Sequence, residues 1–235
     1  NKKNYPNTIK PGKYKISKGM NNNDLVNLLR SGKQTPIKVS FNNQDTFEKL
    51  AGRISQQIEA DSLALLNSFN DLSFIEENGF SKDSEIGMYI PNTYEFYWNT
   101  SAESFRKKML IEYHSFWNNA RLEKAKKLNL SKNEVITLAS IVQKETASVG
   151  ERPMVAGLYL NRLRDKWPLQ ADPTIIFALK RNLGEDTIIK RVLKKDLEID
   201  SPYNTYKNRG LPPGPIAIPD ISSIDAILNA TKHNY

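Results

Sequence analysis

From residue 101 to residue 180 the apolar residues of this chain recur every three or four positions, a period that commits its second half to helices. SAESFRKKMLIEYHSFWNNARLEKAKKL opens on a cap at Ser101 and sets Phe105, Met109, Tyr113 and Phe116 along one side, which predicts one long helix. LSKNEVITLASIVQKET follows, with Ser131 as cap and Glu134 three residues on, a pairing that satisfies two orphan backbone donors reciprocally. VAGLYLNRL (155–163) and DPTIIFALK (172–180) read as further helices. Beyond them the end of the chain is rich in proline and glycine.

The first half is mixed. TIKPGKYKIS (8–17) alternates as a short strand entered through a Pro-Gly turn, and PIKVSF (36–41) alternates again. Between them GMNNNDLVNLLRSGK (19–33) offers Asn and Asp caps, then Leu25, Leu28 and Leu29 at helical spacing, then Gly32 as a stop. The unit is β-α-β. Two capped helical patterns follow at 45–58 and 61–69, with Leu50, Ile54 and Ile58 on one stripe. GMYIPNTYEFYW (87–98) is aromatic and broken by Pro91, so it reads as an extended loop or edge strand. The expectation is an α+β fold in two domains, 1–98 and 99–235, the second mainly helical with a few short strands. A chain of 235 residues, 39% hydrophobic and 26% charged, is able to bury such cores.

Composition narrows the chemistry. There is no cysteine, which removes disulfides, thiolate catalysis and Cys-based zinc sites together. The two histidines, His114 and His233, lie far apart, so a His-based metal site or a Ser-His-Asp triad is disfavoured and no cofactor is expected. Catalysis, if there is any, rests on carboxylates. A formal charge of +8 suits an anionic partner: nucleic acid, lipid headgroups or acidic wall polymers. The lysines are spread from Lys2 to Lys232 without an arginine-rich tract or an RNP-like aromatic motif, which puts nucleic acid last. No apolar run approaches the roughly 18 residues of a membrane span. The chain reads as soluble, and its start at Asn1 suggests a fragment from which an anchor has been removed.

One acid stands out. On the helix from about Lys132, Val135, Leu138, Ala139 and Val142 form the buried stripe, and its next position falls on Glu145 and Thr146, with Lys144 on the far side. A carboxyl group continuing an apolar stripe loses water, which favours its protonated form and suits a general acid. The plainer alternative is structural: the stripe emerges into solvent at the helix end, or Glu145 pairs with Arg152 or Arg162. Downstream, PLQADPT (168–174) and DSPYNTYKNRGLPPGPIAIP (200–219) crowd polar residues and ring faces between prolines. Sugars need both, because their hydroxyl edges are polar and their C–H faces stack on aromatic rings. A well-bonded connector is the alternative.

LASIVQKET, ERPMVAGLYLNRL, PLQADPTIIFAL and IDSPYNTYKNRGLPPGPIAIP, in this order and spacing, resemble the YceG-like family of endolytic murein transglycosylases, and GKYKISKGMNNNDLVNLLRSGK and YIPNTYEFYW extend the resemblance over nearly the whole chain. The resemblance implies cleavage of peptidoglycan glycan strands between N-acetylmuramic acid and N-acetylglucosamine, leaving a 1,6-anhydromuramyl end. It implies that the second acid of an E-K-E-T motif, here Glu145, is catalytic; the first acid is replaced by Gln143, a departure read as peripheral. It also implies a LysM-like sugar-binding module at about 8–60 and a preceding membrane helix that holds the domain outside the cytoplasmic membrane. Peptidoglycan synthases or division proteins are the partners expected with such an activity. Gln170, Asp172, Asn204 and Thr205 are assigned to substrate contacts, and Asp172, Thr174 and Tyr203 to stabilising charge on the muramyl ring. Glu151 is a second acid near the site, and Asn161 and Arg162 are either site or structural residues. The competing readings are a two-carboxylate muramidase using Glu145 and Asp172, and a non-catalytic wall-binding scaffold.

Overall fold

The computed structural model describes residues 10–233, which form two compact units. The first comprises residues 10–41, Phe47–Phe69 and Asn92–Lys108; the second comprises Asn42–Thr46, Asn70–Pro91 and 109–233. The fold is mixed and mainly helical, with one small two-stranded sheet, as α+β requires.

In the first unit, helix α1 (Asn22–Ser31) starts on a capping box between Asn21 and Asp24 and stops at Gly32, whose φ of 69° suits a residue without a Cβ. Strand β1 (Ile37–Ser40) pairs antiparallel with β2 (Thr93–Phe96), Val39 opposite Tyr94. Helices α2 (Phe47–Ser55) and α3 (Ser62–Phe69) supply the rest of a core in which Val39, Leu50, Ile54, Leu65 and Phe105 are fully buried. Phe105 stacks on Phe96 at 5.0 Å and meets Phe69 at 6.1 Å.

The expected first strand is not formed: residues 10–17 carry no ladder, and residues 8 and 9 lie outside the described residues. The sheet leaves it little to pair with. β1 has β2 as its neighbour, and the Gln57 side chain takes both the Ser40 N–H and C=O at 2.9 Å, in the manner of a strand. Among the described residues the β-α-β order survives as a backbone bond from Thr35 N–H to the Lys13 carbonyl at 2.7 Å.

The long helix expected from Ser101 is two. α5 (Ala102–Phe116) ends where Trp117 turns into the core, and α6 (Asn119–Lys127) restarts on Asn118, whose side chain accepts from Arg121 N–H at 3.1 Å. After short helix α4 (Leu72–Glu77) and a 3-10 turn at Glu85–Met88, the second unit is organised by α7 (Lys132–Glu145), with its Ser131–Glu134 capping box in place. Residues 135–143 of α7 are all buried, against α8 (Arg152–Arg164), α9 (Asp172–Leu183) and α10 (Ile221–Leu228). Gly157 on α8 has a specific reason to lack a side chain: a Cβ there would sit 2.1 Å from the Thr231 carbonyl oxygen.

Helix α10 follows the proline-rich stretch and starts after Asp220, and the few short strands expected between 99 and 235 are not present among the described residues. Prolines explain the second point, since they cannot donate to a ladder. The backbone donors that remain in LPPGPIAIP go elsewhere: Ile216 N–H to Ser140 Oγ at 3.0 Å, Ile218 N–H to the Gln44 carbonyl at 2.8 Å. Among the described residues no helix is long and apolar enough to cross a membrane.

Candidate active site

Helix α7 ends because Thr146 leaves helical geometry, with φ −137° and ψ 134°. That places Glu145 in the last turn, past the elements that bury residues 135–143, and its side chain is exposed. The apolar stripe therefore emerges into solvent at its final step, and the expected dry pocket around the carboxyl group is corrected accordingly. Glu145 is nonetheless held: the buried Tyr159 of α8 donates its hydroxyl to Glu145 Oε2 at 3.1 Å. Neither arginine weighed as an ion-pair partner is turned to it. Arg152 binds Ser222 Oγ at 2.7 Å and lies 3.7 Å from Asp220, while Arg162 donates to the Leu169 carbonyl at 2.5 Å. Glu151 accepts from Thr146 Oγ1 at 2.8 Å and so braces the turn that follows Glu145.

The two polar stretches downstream are zipped together. Gln170 N–H bonds the Thr205 carbonyl, and Ala171 N–H bonds Thr205 Oγ1, both at 3.0 Å; Thr205 Oγ1 also meets Thr174 Oγ1 at 2.8 Å. Asn204 pins the loop from inside, donating to the Leu197 and Ile199 carbonyls and accepting from Tyr206 N–H. Tyr203 turns inward to Asp83, 3.1 Å from its hydroxyl, with its ring on Phe177 at 4.6 Å. Thr174, Tyr203, Asn204 and Thr205 are thus sealed from solvent, with at most 1% exposure, and their side chains brace the two stretches. Their chemistry explains this, because a loop rich in backbone donors and short of ladder partners is satisfied by its own side chains. Gln170 and Asp172 are exposed.

What the zipper presents is Tyr206, whose hydroxyl donates to Asp172 Oδ1 at 2.5 Å. Burial, then the bond to Asp172, then the charges of Asp172 and Glu145 push its hydroxyl up to about 12, against the opposing charge of Arg162. Burial raises Tyr159 further, with the charge of Glu145 and the bond to it adding to the effect. Both phenols stay neutral donors, each serving one carboxylate, with Arg162 within electrostatic reach of both. Tyr159 was hidden in the sequence as one more large residue of the α8 pattern; its only signal is Arg162 three residues on, on the same helical face.

Gln143 does not join this cluster. It is buried, and its Oε1 accepts from Asp220 N–H at 2.5 Å and Ser223 Oγ at 3.1 Å, fixing the start of α10. Lys144 points away as expected, to Asp45 Oδ1 at 2.5 Å, on a cavity of about 130 Å³ floored by Pro173, Ile176, Phe177 and Ile216. Among the described residues no group of three His, Asp or Glu side chains is placed to hold a metal ion.

Known proteins share this architecture. The model of the YceG-like family matches residues 1–235. A protein of Bacillus subtilis strain 168 named endolytic murein transglycosylase is 32% identical over 240 residues, which are 95% of this chain and 65% of that protein. One of the same name from Streptococcus pneumoniae R6 is 32% identical over 260 residues, 98% of this chain and 46% of that protein. The chain thus spans about half to two thirds of the length of these relatives. The crystal structure of a yceG-like protein of Listeria monocytogenes superposes with a TM-score of 0.72 at 31% identity, covering 100% of this chain and 80% of that one. With the family pattern running from the first residue to the last, the chain belongs to the YceG-like family.

Proposed function

We propose that this chain is an endolytic lytic transglycosylase, cleaving the glycan strands of peptidoglycan between N-acetylmuramic acid and N-acetylglucosamine with Glu145 as its single acid and base. The observation that carries the reading is an exposed carboxyl group oriented at one oxygen by a buried neutral tyrosine, beside a second tyrosine that answers to both Glu145 and Asp172. The names of relatives with 32% identity support the same activity.

Ordinary glycosidases use two carboxyl groups. Here the substrate supplies its own nucleophile. Glu145, protonated, gives its proton to the glycosidic oxygen as the bond from C1 of the muramyl residue to that oxygen breaks; the carboxylate then takes the proton of the C6 hydroxyl as O6 bonds to C1. Glu145 ends as it began, no water is consumed, and the product is a 1,6-anhydro ring. Because the nucleophile is already attached to the reacting sugar, orientation supplies much of the rate. With Oε2 held by Tyr159, we assign the proton transfers to Oε1. Asp172 and Gln170 face the strand, Asp172 stabilising positive charge on the ring. Such a substrate puts the domain outside the cytoplasmic membrane, close to wall synthases and division proteins.

Mass spectrometry of digested sacculi tests substrate, bond and reaction together. Anhydromuramyl ends support the reading, whereas ends heavier by one water indicate the two-carboxylate hydrolase, and intact strands indicate a binder. Glu145→Gln is expected to lower turnover about 10²–10⁴-fold with an unchanged circular dichroism spectrum. Asp172→Asn is expected to keep more activity than Glu145→Gln; equal loss would make Asp172 a second catalytic carboxylate.

A further inference from the structure

Helix α8 closes with a Schellman motif: Lys166 N–H bonds the Leu163 carbonyl at 3.2 Å and Trp167 N–H the Arg162 carbonyl at 2.8 Å, after a cap at Asp165. Two features depart from the usual form. The left-handed residue is Lys166, with φ 56°, where glycine is normally found. The residue after it ordinarily lays an apolar side chain back on the helix, three residues before the cap. At that place stands Arg162, whose guanidinium is engaged with the Leu169 and Pro168 carbonyls and with Gln170 Oε1. The indole of Trp167 is consequently 65% exposed.

The exposed ring sits on a stiff mount. Pro168 restricts the Trp167 backbone to extended conformations. Gln170, at the far end, is also left-handed at φ 54° and is fastened to the Thr205 carbonyl. Of the three non-glycine residues with positive φ among the described residues, two bracket Trp167. Strained backbone of this kind is costly and is retained where geometry matters for function. The mount also adjoins the candidate acids: Arg162, which clamps it, acts on both Tyr159 and Tyr206, and Asp172 follows five residues after Trp167.

We infer that the Trp167 indole is the platform of a sugar subsite next to Glu145, on which a hexosamine ring of the strand stacks by its C–H face. This rests on the glycan-cleaving reading of the site. An exposed indole whose backbone is fixed on both sides loses little freedom when a sugar ring covers it, and it gains apolar contact. Because the ring is exposed, its removal leaves the fold intact.

The test measures steady-state cleavage of soluble, peptide-free glycan strands by the parent chain, Trp167→Ala and Trp167→Tyr. Trp167→Ala is expected to raise KM about tenfold, with kcat held within about twofold, and Trp167→Tyr to recover most of the loss. An unchanged KM in Trp167→Ala, or a tyrosine variant as impaired as the alanine one, overturns the subsite. If the parent does not cleave, the functional reading fails by itself, and titration calorimetry with the same strands decides the subsite separately. Affinity lost in Trp167→Ala upholds it, and affinity equal to the parent's rejects it.

Discussion

A carboxyl group that gives a proton and then takes it back is best served by neighbours whose own protonation does not change over the working pH range. Tyr159 and Tyr206 meet that condition, because burial and the adjacent carboxylates hold both phenols far above neutrality. Neither therefore adds a limb to the pH–rate profile near neutral pH. Glu85 behaves differently. It is buried at 7% exposure in the 3-10 turn, its Oε2 has no hydrogen-bond partner among the described residues, and burial, assisted by the charge of Asp83 and opposed by Lys82, raises it from 4.5 to about 7. A folded value above the unfolded one means that Glu85 contributes stability in full below about 4.5 and loses it as the pH climbs through 7. Allowing for screening, the swing is on the order of 1–2 kcal/mol. Urea midpoints of the parent and Glu85→Gln, followed from pH 4.5 to 8, should separate by that amount; parallel curves would show that Glu85 does not titrate in this window. At this scale the sequence was readable only in part. Glu145 could be singled out from its stripe and motif, but where a stripe runs out is fixed by the length of the helices packed on it, and three-residue spacing carries no such information.

Among the elements, the zipper between the two polar stretches gives the cluster its shape. Thr205 Oγ1 serves the buried Ala171 N–H and shares a bond with Thr174, so Thr205→Val leaves that backbone donor without its partner, while the Thr174 hydroxyl keeps its bond to the Ala171 carbonyl. The expected cost is 1–3 kcal/mol, with Thr205→Ser restoring most of it. Thermal denaturation reads the difference, and a valine variant as stable as the parent would mean that water replaces the lost hydroxyl. Activity is expected to fall in step, because the same bonds aim Tyr206 at Asp172. The helices were legible where a cap chemistry marked their start, as at Asn21 and Ser131, or where a proline opened the first turn, as in the run from Asp172. The break at Asn118 was missed because the apolar period continues through it, and the asparagine that ends the run competes for the backbone locally. The N-terminal strand was overcalled for the opposite reason: alternation supplies a face, but a strand also needs an edge, and Gln57 occupies that edge at Ser40.

For the molecule as a whole, α7 is the member that nearly everything in the second unit packs against. Two of its buried polar side chains, Ser140 and Gln143, bind backbone donors of the proline-rich run that leads into α10. That run was unreadable as structure because its order comes from these long-range bonds and not from any period of its own. Charge, by contrast, is a bulk property that the sequence states directly: 34 basic against 26 acidic residues, a formal +8. At about 0.1 M ionic strength exposed charges act over roughly 10 Å, and at about 1 M over only 3 Å. If the surplus lysines draw the chain to anionic wall polymers, its sedimentation with sacculi should fall steeply between low and high salt. Stripping those polymers from the sacculi should remove most of the salt dependence while leaving the weaker, sugar-borne association. The Glu145→Gln variant is the proper reagent, since its expected low turnover keeps the strands whole during the measurement. Salt-independent binding to both kinds of sacculi would transfer the attraction from the charged surface to the uncharged sugar contacts.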